Sequence, residues 1–227
     1  MILTIGAAVM IVILLGLGTW QVRRLAWKRD LIARVDAGVH ARPVPAPGPI
    51  AWPAVDAERA AYRRIVVTGR YLADRSVRTQ AATVWGSGSW LLTPLRTDRG
   101  FVILVNRGFV PPGWRDPGMP DRPVTVTGLL RITEPQGGFL RKNDPAADRW
   151  YSRDVAAIAA ARHLERAAPY FIDADVDPDT PTRPPIGGLT VIHFSNNHLG
   201  YAITWYVLAV MVVVGWVTLV RHERRGR

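Results

Sequence analysis

Residues 1–20 read MILTIGAAVMIVILLGLGTW and residues 199–220 read LGYAITWYVLAVMVVVGWVTLV, and neither run contains Asp, Glu, Lys, Arg or His. At a rise of 1.5 Å per helical residue, about 20 apolar residues cross a hydrocarbon core roughly 30 Å thick, so each run is long enough to span a bilayer. A cleaved signal peptide would need a basic start, a shorter apolar stretch and a small-residue cleavage site. Here Gly18-Thr19-Trp20-Gln21 leads directly into Arg23-Arg24, which reads as a retained anchor. No Arg- and Ser-rich transit segment stands before it, so a bacterial chain is expected.

The charge distribution supports the two spans. The chain of 227 residues carries 29 Lys and Arg against 18 Asp and Glu, a net +11. Residues 21–34 hold +4 of this and residues 221–227 hold +3, so the excess flanks the apolar runs. That is a membrane-flank pattern, and nucleic acid is not an expected partner. A hydrophobic fraction of 48% excludes a disordered chain, and the absence of Cys excludes disulfides, Cys zinc sites, iron–sulfur clusters and Cys nucleophiles. Orientation stays open on charge alone. Arg221, Arg224, Arg225 and Arg227 argue for a cytoplasmic tail, while Arg23, Arg24, Lys28, Arg29 and Arg34 argue the same for the intervening loop.

Between the spans, prolines punctuate the chain at 43–53, 111–123 and 178–185. The first and last clusters resist both helix and sheet interior and read as straps. The expected organisation is a first span at 1–20, a basic juxtamembrane helix and strap at 21–55, a β-rich domain at 56–177, a second strap at 178–198, a second span at 199–220 and a basic tail at 221–227. Residues 22–35 suit either a prolongation of the first helix or a solvated basic helix, with Trp20 and Trp27 near the interface. Within the domain, alternation predicts strands at 64–71, 76–84, 89–96, 101–106 and 124–130, a hairpin turn at Asp98-Arg99-Gly100, and a last strand at Tyr170-Phe171-Ile172. A helix starts at Ser152 or Asp154 and runs through VAAIAAARHL. Asn106–Pro111 is expected to end a strand, with Gly108 serving a turn braced by Arg107. The fold class is thus an α+β membrane protein: two transmembrane helices flanking a mainly antiparallel β domain, sandwich or partial barrel, with one helix.

Catalytic constellations are scarce. Gly16-Leu17-Gly18 lies inside an apolar run, Gly86-Ser87-Gly88-Ser89 does not form a nucleophile elbow, and no P-loop, H-E-x-x-H or EF-hand sequence occurs. His193 and His198 are five residues apart, which turns them away from each other on a helix. The unusual stretch is the entrance to the second span, where an ionisable His198 stands at a bilayer boundary at a desolvation cost. His198, Tyr201, Ala202 and Trp205 share one helical face. Two readings fit. The neutral imidazole ligates a metal such as iron, or it hydrogen-bonds to backbone or to the other span.

Four blocks carry a resemblance to the surfeit locus protein 1 family of cytochrome c oxidase assembly factors: LGLGTWQVRRLAWKRDLI at 14–32, LVNRGFVP at 104–111, WYSRDVAAIA at 150–159 and NNHLGYAITWY at 196–206. They stand in the family's order, and the first and last are the most specific. The resemblance implies an inner-membrane protein with both termini cytoplasmic and the domain in the periplasm, which resolves the charge conflict in favour of the tail. It further implies a role in maturing haem-copper oxidase, holding haem a and helping to insert it into the catalytic subunit, with haem a synthase as a possible further partner and membrane lipids around the spans. The family's functional His falls on His198, here the expected ligand to haem iron. Tyr201 and Trp205 are expected to wall the macrocycle, and Trp20, Gln21, Arg23 and Arg24 to complete the site, with the arginines on the propionates. A protein scaffold that holds no haem, or a membrane enzyme that modifies haem, is the alternative. The sequence departs from the family in beginning directly with apolar residues, where a basic extension would help orient the first span.

Overall fold

The computed structural model describes residues 2–119, 121–135, 138, 141–192 and 196–225. The chain divides into two compact units: one comprises residues 1–34 and 192–227, the other residues 35–191. The first unit is helical. Helix α1 spans Ile2–His40 and helix α3 spans His198–Arg225. Both are long and apolar enough to cross a membrane. At 39 residues α1 is about 58 Å long, roughly twice the hydrocarbon thickness, so it continues well past any single crossing. The basic segment after Trp20 therefore prolongs the first helix without a break.

Among the buried and half-buried positions of α1, residues 7, 11, 14, 18, 21, 25, 28 and 32 follow an alternating four-three spacing that forms one seam along the helix. Its outer half packs on α3. Trp216 Nε1 donates to Thr4 Oγ1 at 3.4 Å, Thr19 and Tyr206 share a hydroxyl hydrogen bond at 3.3 Å, and Gln21 meets His198 at 2.7 Å. Early positions of α1 thus face late positions of α3, which makes the pair an antiparallel hairpin. Small residues permit the approach: Ala202 and Ala209 are buried on α3, and a Cβ on Gly18 would lie 2.7 Å from the Tyr206 ring.

The second unit is a β-barrel. Its strands are β1 (Val44–Pro45), β2 (Arg64–Tyr71), β3 (Val77–Thr83), β4 (Gly86–Thr97), β5 (Val102–Val110), β6 (Val124–Ile132) and β7 (Ala167–Ala174), with helix α2 (Val155–Ala161) between β6 and β7. The sheet order is β1-β2-β6-β7-β5-β4-β3, and pairing of β2 with β4 closes β2, β6, β7, β5 and β4 into a ring. Gly69 makes the corner, since it pairs with Val124 on one side and Thr97 on the other. A Cβ there would lie 2.3 Å from the Arg96 carbonyl oxygen. All pairings in the ring are antiparallel except β5 with β7.

Two apolar clusters explain the strand sequences. Ile65, Val67, Leu95, Phe101, Ile103, Val105, Leu130, Tyr170 and Ile172 form one cluster, and Leu92, Val102, Leu104, Phe171 and Trp150 join Val155 and Ile158 of α2 in the other. Strand β5 is buried on both faces, which is why Val102-Ile103-Leu104-Val105 is a continuous apolar run. Asp154 caps α2, its carboxylate accepting from the Ala157 amide.

The Pro-rich flanks differ from free straps, because they pack onto the barrel. Ala46 is buried, the Tyr170 hydroxyl donates to the Pro47 carbonyl at 2.6 Å, and Trp52 Nε1 donates to the same oxygen at 3.1 Å. Burial pushes the Tyr170 phenol well above its ordinary pKa. On the other side, Ile186 exchanges two 2.9 Å backbone hydrogen bonds with Phe109. Proline removes one donor per residue, and the residues between prolines supply the bonds.

The stretch Asn106–Pro111 also departs from expectation. Strand β5 continues through Val110, and Gly108 sits inside it at a φ of 129°. Leu91 pairs with Gly108 and Leu92 with Asn106, so Arg107 is the extra residue of a β-bulge. The bulge aims Arg107 out of the ladder to an ion pair with Asp116 at 2.9 Å. A Cβ on Gly108 would meet the Ile186 carbonyl oxygen at 2.1 Å, so both the angle and the space require glycine.

Candidate functional site

The site is built where α3 begins. His198 opens the helix, and its Nδ1 lies 2.7 Å from Gln21 Oε1. Gln21 is one of few buried polar residues, at 9% exposure, and sits on the α1 seam. A carbonyl oxygen can only accept, so in this arrangement Nδ1 carries the proton and donates. In the neutral ring the lone pair then belongs to Nε2, the nitrogen that can bind a metal. A helix-to-helix hydrogen bond and a prepared ligand are therefore compatible features of one imidazole.

The expected neighbours lie around this pair. Measured from Gln21 around α1, Trp20, Arg24 and Trp27 fall on one flank, about 60–120° from the seam. In an antiparallel pair the corresponding flank of α3 holds Tyr201, with Trp205 nearer the seam. Trp20 and Tyr201 are each 56% exposed, Trp27 is 43% exposed, and Trp205 is half-buried. The Arg24 guanidinium stacks 3.9 Å over the Trp27 ring, which orders it on that flank. Arg23 is exposed and lies further round the helix. The structure thus brings Gln21 and His198 into direct contact, places Trp20, Arg24 and Tyr201 on the adjoining flank, and leaves Arg23 less directly aligned. His193 lies outside the described residues.

A second polar assembly, in the barrel, escaped sequence reasoning. Asp173 of β7 is 6% exposed and accepts hydrogen bonds from Asn106, Arg131, Arg153 and Thr190 at 2.7–3.2 Å. Glu134 takes the remaining contacts of the two guanidiniums, at 2.6–3.4 Å. Both arginines also stack over the Phe171 ring. A cavity of about 180 Å³ adjoins the cluster. Two cations balance two carboxylates whose oxygens are engaged, so the assembly joins β5, β6, β7 and the chain leading to α3 and offers no free base. The signal in the sequence was one acidic residue, Asp173, in the otherwise apolar strand Tyr170-Phe171-Ile172. Among the described residues no group of three or more His, Asp or Glu is placed to hold a metal ion.

The SURF1 family model matches residues 8–210, which takes in most of α1, the whole barrel and the first part of α3. The chain belongs to the SURF1 family. It is 34% identical to Surfeit locus protein 1 of Homo sapiens over 223 residues, covering 88% of this chain and 72% of that protein. It is 37% identical to a SURF1-like protein of Monosiga brevicollis over 227 residues, covering 92% and 84%. It is also similar to a SURF1-like protein of Drosophila melanogaster, at 32% identity over 224 residues. The matched stretch contains Gln21 and His198, so the hydrogen-bonded pair of this SURF1-family chain belongs to the shared part of the sequence.

Proposed function

We propose that this SURF1-family protein is an assembly factor for haem-copper (cytochrome c) oxidase that binds haem a as cargo and helps insert it into the catalytic subunit. The observation that carries the reading is the Gln21–His198 hydrogen bond, which reserves His198 Nε2 as a nitrogen donor at the mouth of the helix hairpin. The donor set suits the cargo. Imidazole is a good ligand for haem iron, Cys is absent, and Met211 lies more than two turns deeper in α3. Exposed aromatic surfaces of Trp20 and Tyr201, with Trp205 beside them, match an apolar macrocycle, and Arg24 can grip a carboxylate through paired hydrogen bonds. Arg23 adds positive charge to the same collar.

The surroundings follow from this reading. The protein sits in the bacterial inner membrane with both termini cytoplasmic and the barrel in the periplasm, supported by the basic cluster Arg221, Arg224 and Arg225 after the second span. Haem a synthase is the natural source of the cargo, and the oxidase catalytic subunit its destination. No turnover chemistry is assigned, since the carboxylates of the barrel cluster are tied to arginines.

The test is co-expression of the full chain with a haem a biosynthetic pathway, purification in detergent and an absorption spectrum. Haem a retained through purification supports the carrier reading. A haem-free protein that still stabilises an early oxidase subunit would make it a scaffold.

A further inference from the structure

The β3–β4 hairpin ends in a two-residue turn, Val84-Trp85, between Thr83 and Gly86. Tight turns are ordinarily made by Gly, Asn, Asp or Ser, which supply either a positive φ or a local hydrogen bond. Here Gly86, at a φ of 95°, and the Thr83 hydroxyl, accepting from the Trp85 amide at 3.1 Å, meet those needs from outside the tip. The tip itself is left to two large apolar side chains. Val84 is 94% exposed and Trp85 is 49% exposed.

From Thr79 to Leu95 the hairpin carries no charge of its own, and the charged group at its base is Arg141, whose guanidinium donates to Gln80 Oε1 at 3.1 Å. Between Arg78 and Arg96 the chain has no Asp, Glu, Lys, Arg or His, although Asp, Glu, Lys and Arg alone make up 21% of the sequence. Edge strands in water are normally protected by charge or proline, and β3 has neither beyond Arg78. Gln80 donates its amide to the Trp150 carbonyl, and Ala81–Thr83 run on to the tip beyond that bond.

Ala81 of β3 packs in one cluster with Phe109 and Ile186, with Trp90 and Leu189 against it. The tip is three residues from Ala81, about 10 Å along the strand. Leu189 leads through Val191, itself 80% exposed, to the second span at His198. The seven residue-to-residue steps from Val191 to His198 reach at most about 25 Å. The base of the hairpin therefore packs on the segment through which the chain leaves the barrel toward the second span.

We propose that Val84 and Trp85 form a third membrane attachment, seated in the bilayer interface, with the lipid surface as partner. Tryptophan suits that depth because its ring is apolar and its N–H polar. The tip brings no charged residue of its own, so seating it buries no ion, and the two flanking spans hold it at high local lipid concentration. Together the three attachments would fix the attitude of the barrel over the membrane.

The native chain has no Cys, so a single nitroxide label reports one position. Full-length Val84→Cys, labelled and reconstituted into vesicles of phosphatidylethanolamine and phosphatidylglycerol, is compared with labelled Glu165→Cys. Glu165 is exposed near Arg75, at the opposite end of β3. Power-saturation spectroscopy should give Val84→Cys a markedly higher ratio of oxygen to nickel-chelate accessibility, and adding Trp85→Asp should lower it to the Glu165→Cys value. An aqueous ratio at Val84→Cys in these protein-free membranes overturns the proposal and leaves the tip for a protein partner. A label that stays immersed after Trp85→Asp overturns the assignment of Trp85 as the anchor.

Discussion

Gln21 and His198 show how one hydrogen bond can decide which ring nitrogen is offered to a ligand. Replacing Gln21 with Leu removes the acceptor while keeping similar bulk on the seam, so the imidazole loses its fixed tautomer and orientation. Loss of such an orienting partner typically weakens a metal site about 10–100-fold. Gln21→Leu should therefore lower haem a affinity by about that factor with His198 still present, measured by titration of the purified protein. Gly108 acts differently, since its constraint is backbone geometry in the barrel. A Cβ there would collide with the Ile186 carbonyl at 2.1 Å and demand a φ of 129° from a branched residue. Gly108→Val should destabilise the barrel by about 3 kcal/mol or more, seen as a lower unfolding midpoint, with haem per folded molecule unchanged.

Among the elements, the Asp173 cluster joins three strands and the segment that leads to α3. Asp173→Ala leaves two largely buried guanidiniums without their shared acceptor, and breaking a buried ion pair in this way costs about 3–5 kcal/mol. Denaturant unfolding of the full chain should register that loss, and a change below 1 kcal/mol would mean that water replaces the carboxylate. Much of the element plan was legible beforehand. Strand β2 carries alternation with one buried face, and the apolar runs at both ends are unmistakable as helices. The closure of the ring was not legible, because Gly69 pairing with two partners at once is a property of the folded register and leaves only a glycine in the sequence. Nor was the packing of the Pro-rich flanks, since proline excludes regular elements and says nothing about a flanking carbonyl that accepts from a distant Tyr170. The Gln21–His198 contact pairs residues 177 positions apart, a register that local periodicity does not encode. His198 was visible alone, by the cost of an imidazole at a bilayer boundary.

For the whole molecule, the two spans put residues 35–191 on one side of the membrane, and the proposed function assigns that side to the periplasm. Reporter fusions after Val35 and after Val124 should be active as periplasmic fusions, and a fusion at Arg227 as a cytoplasmic one. A cytoplasmic signal from the loop would reverse the orientation. On the proposed function, a haem would be held at the His198 end of the helix pair, where Trp20, Tyr201 and Trp205 would supply aromatic surface and Arg23 and Arg24 would serve its propionates. That account depends on His198 more than on any other residue. The most direct measurement is the absorption spectrum of detergent-purified His198→Ala beside the native chain, both co-expressed with haem a biosynthesis, with His193→Ala as the neighbouring control. The account predicts that His198→Ala reaches the membrane at normal level with its haem a spectrum lost or strongly altered, while His193→Ala changes little. Full occupancy with an unaltered spectrum in His198→Ala would contradict it.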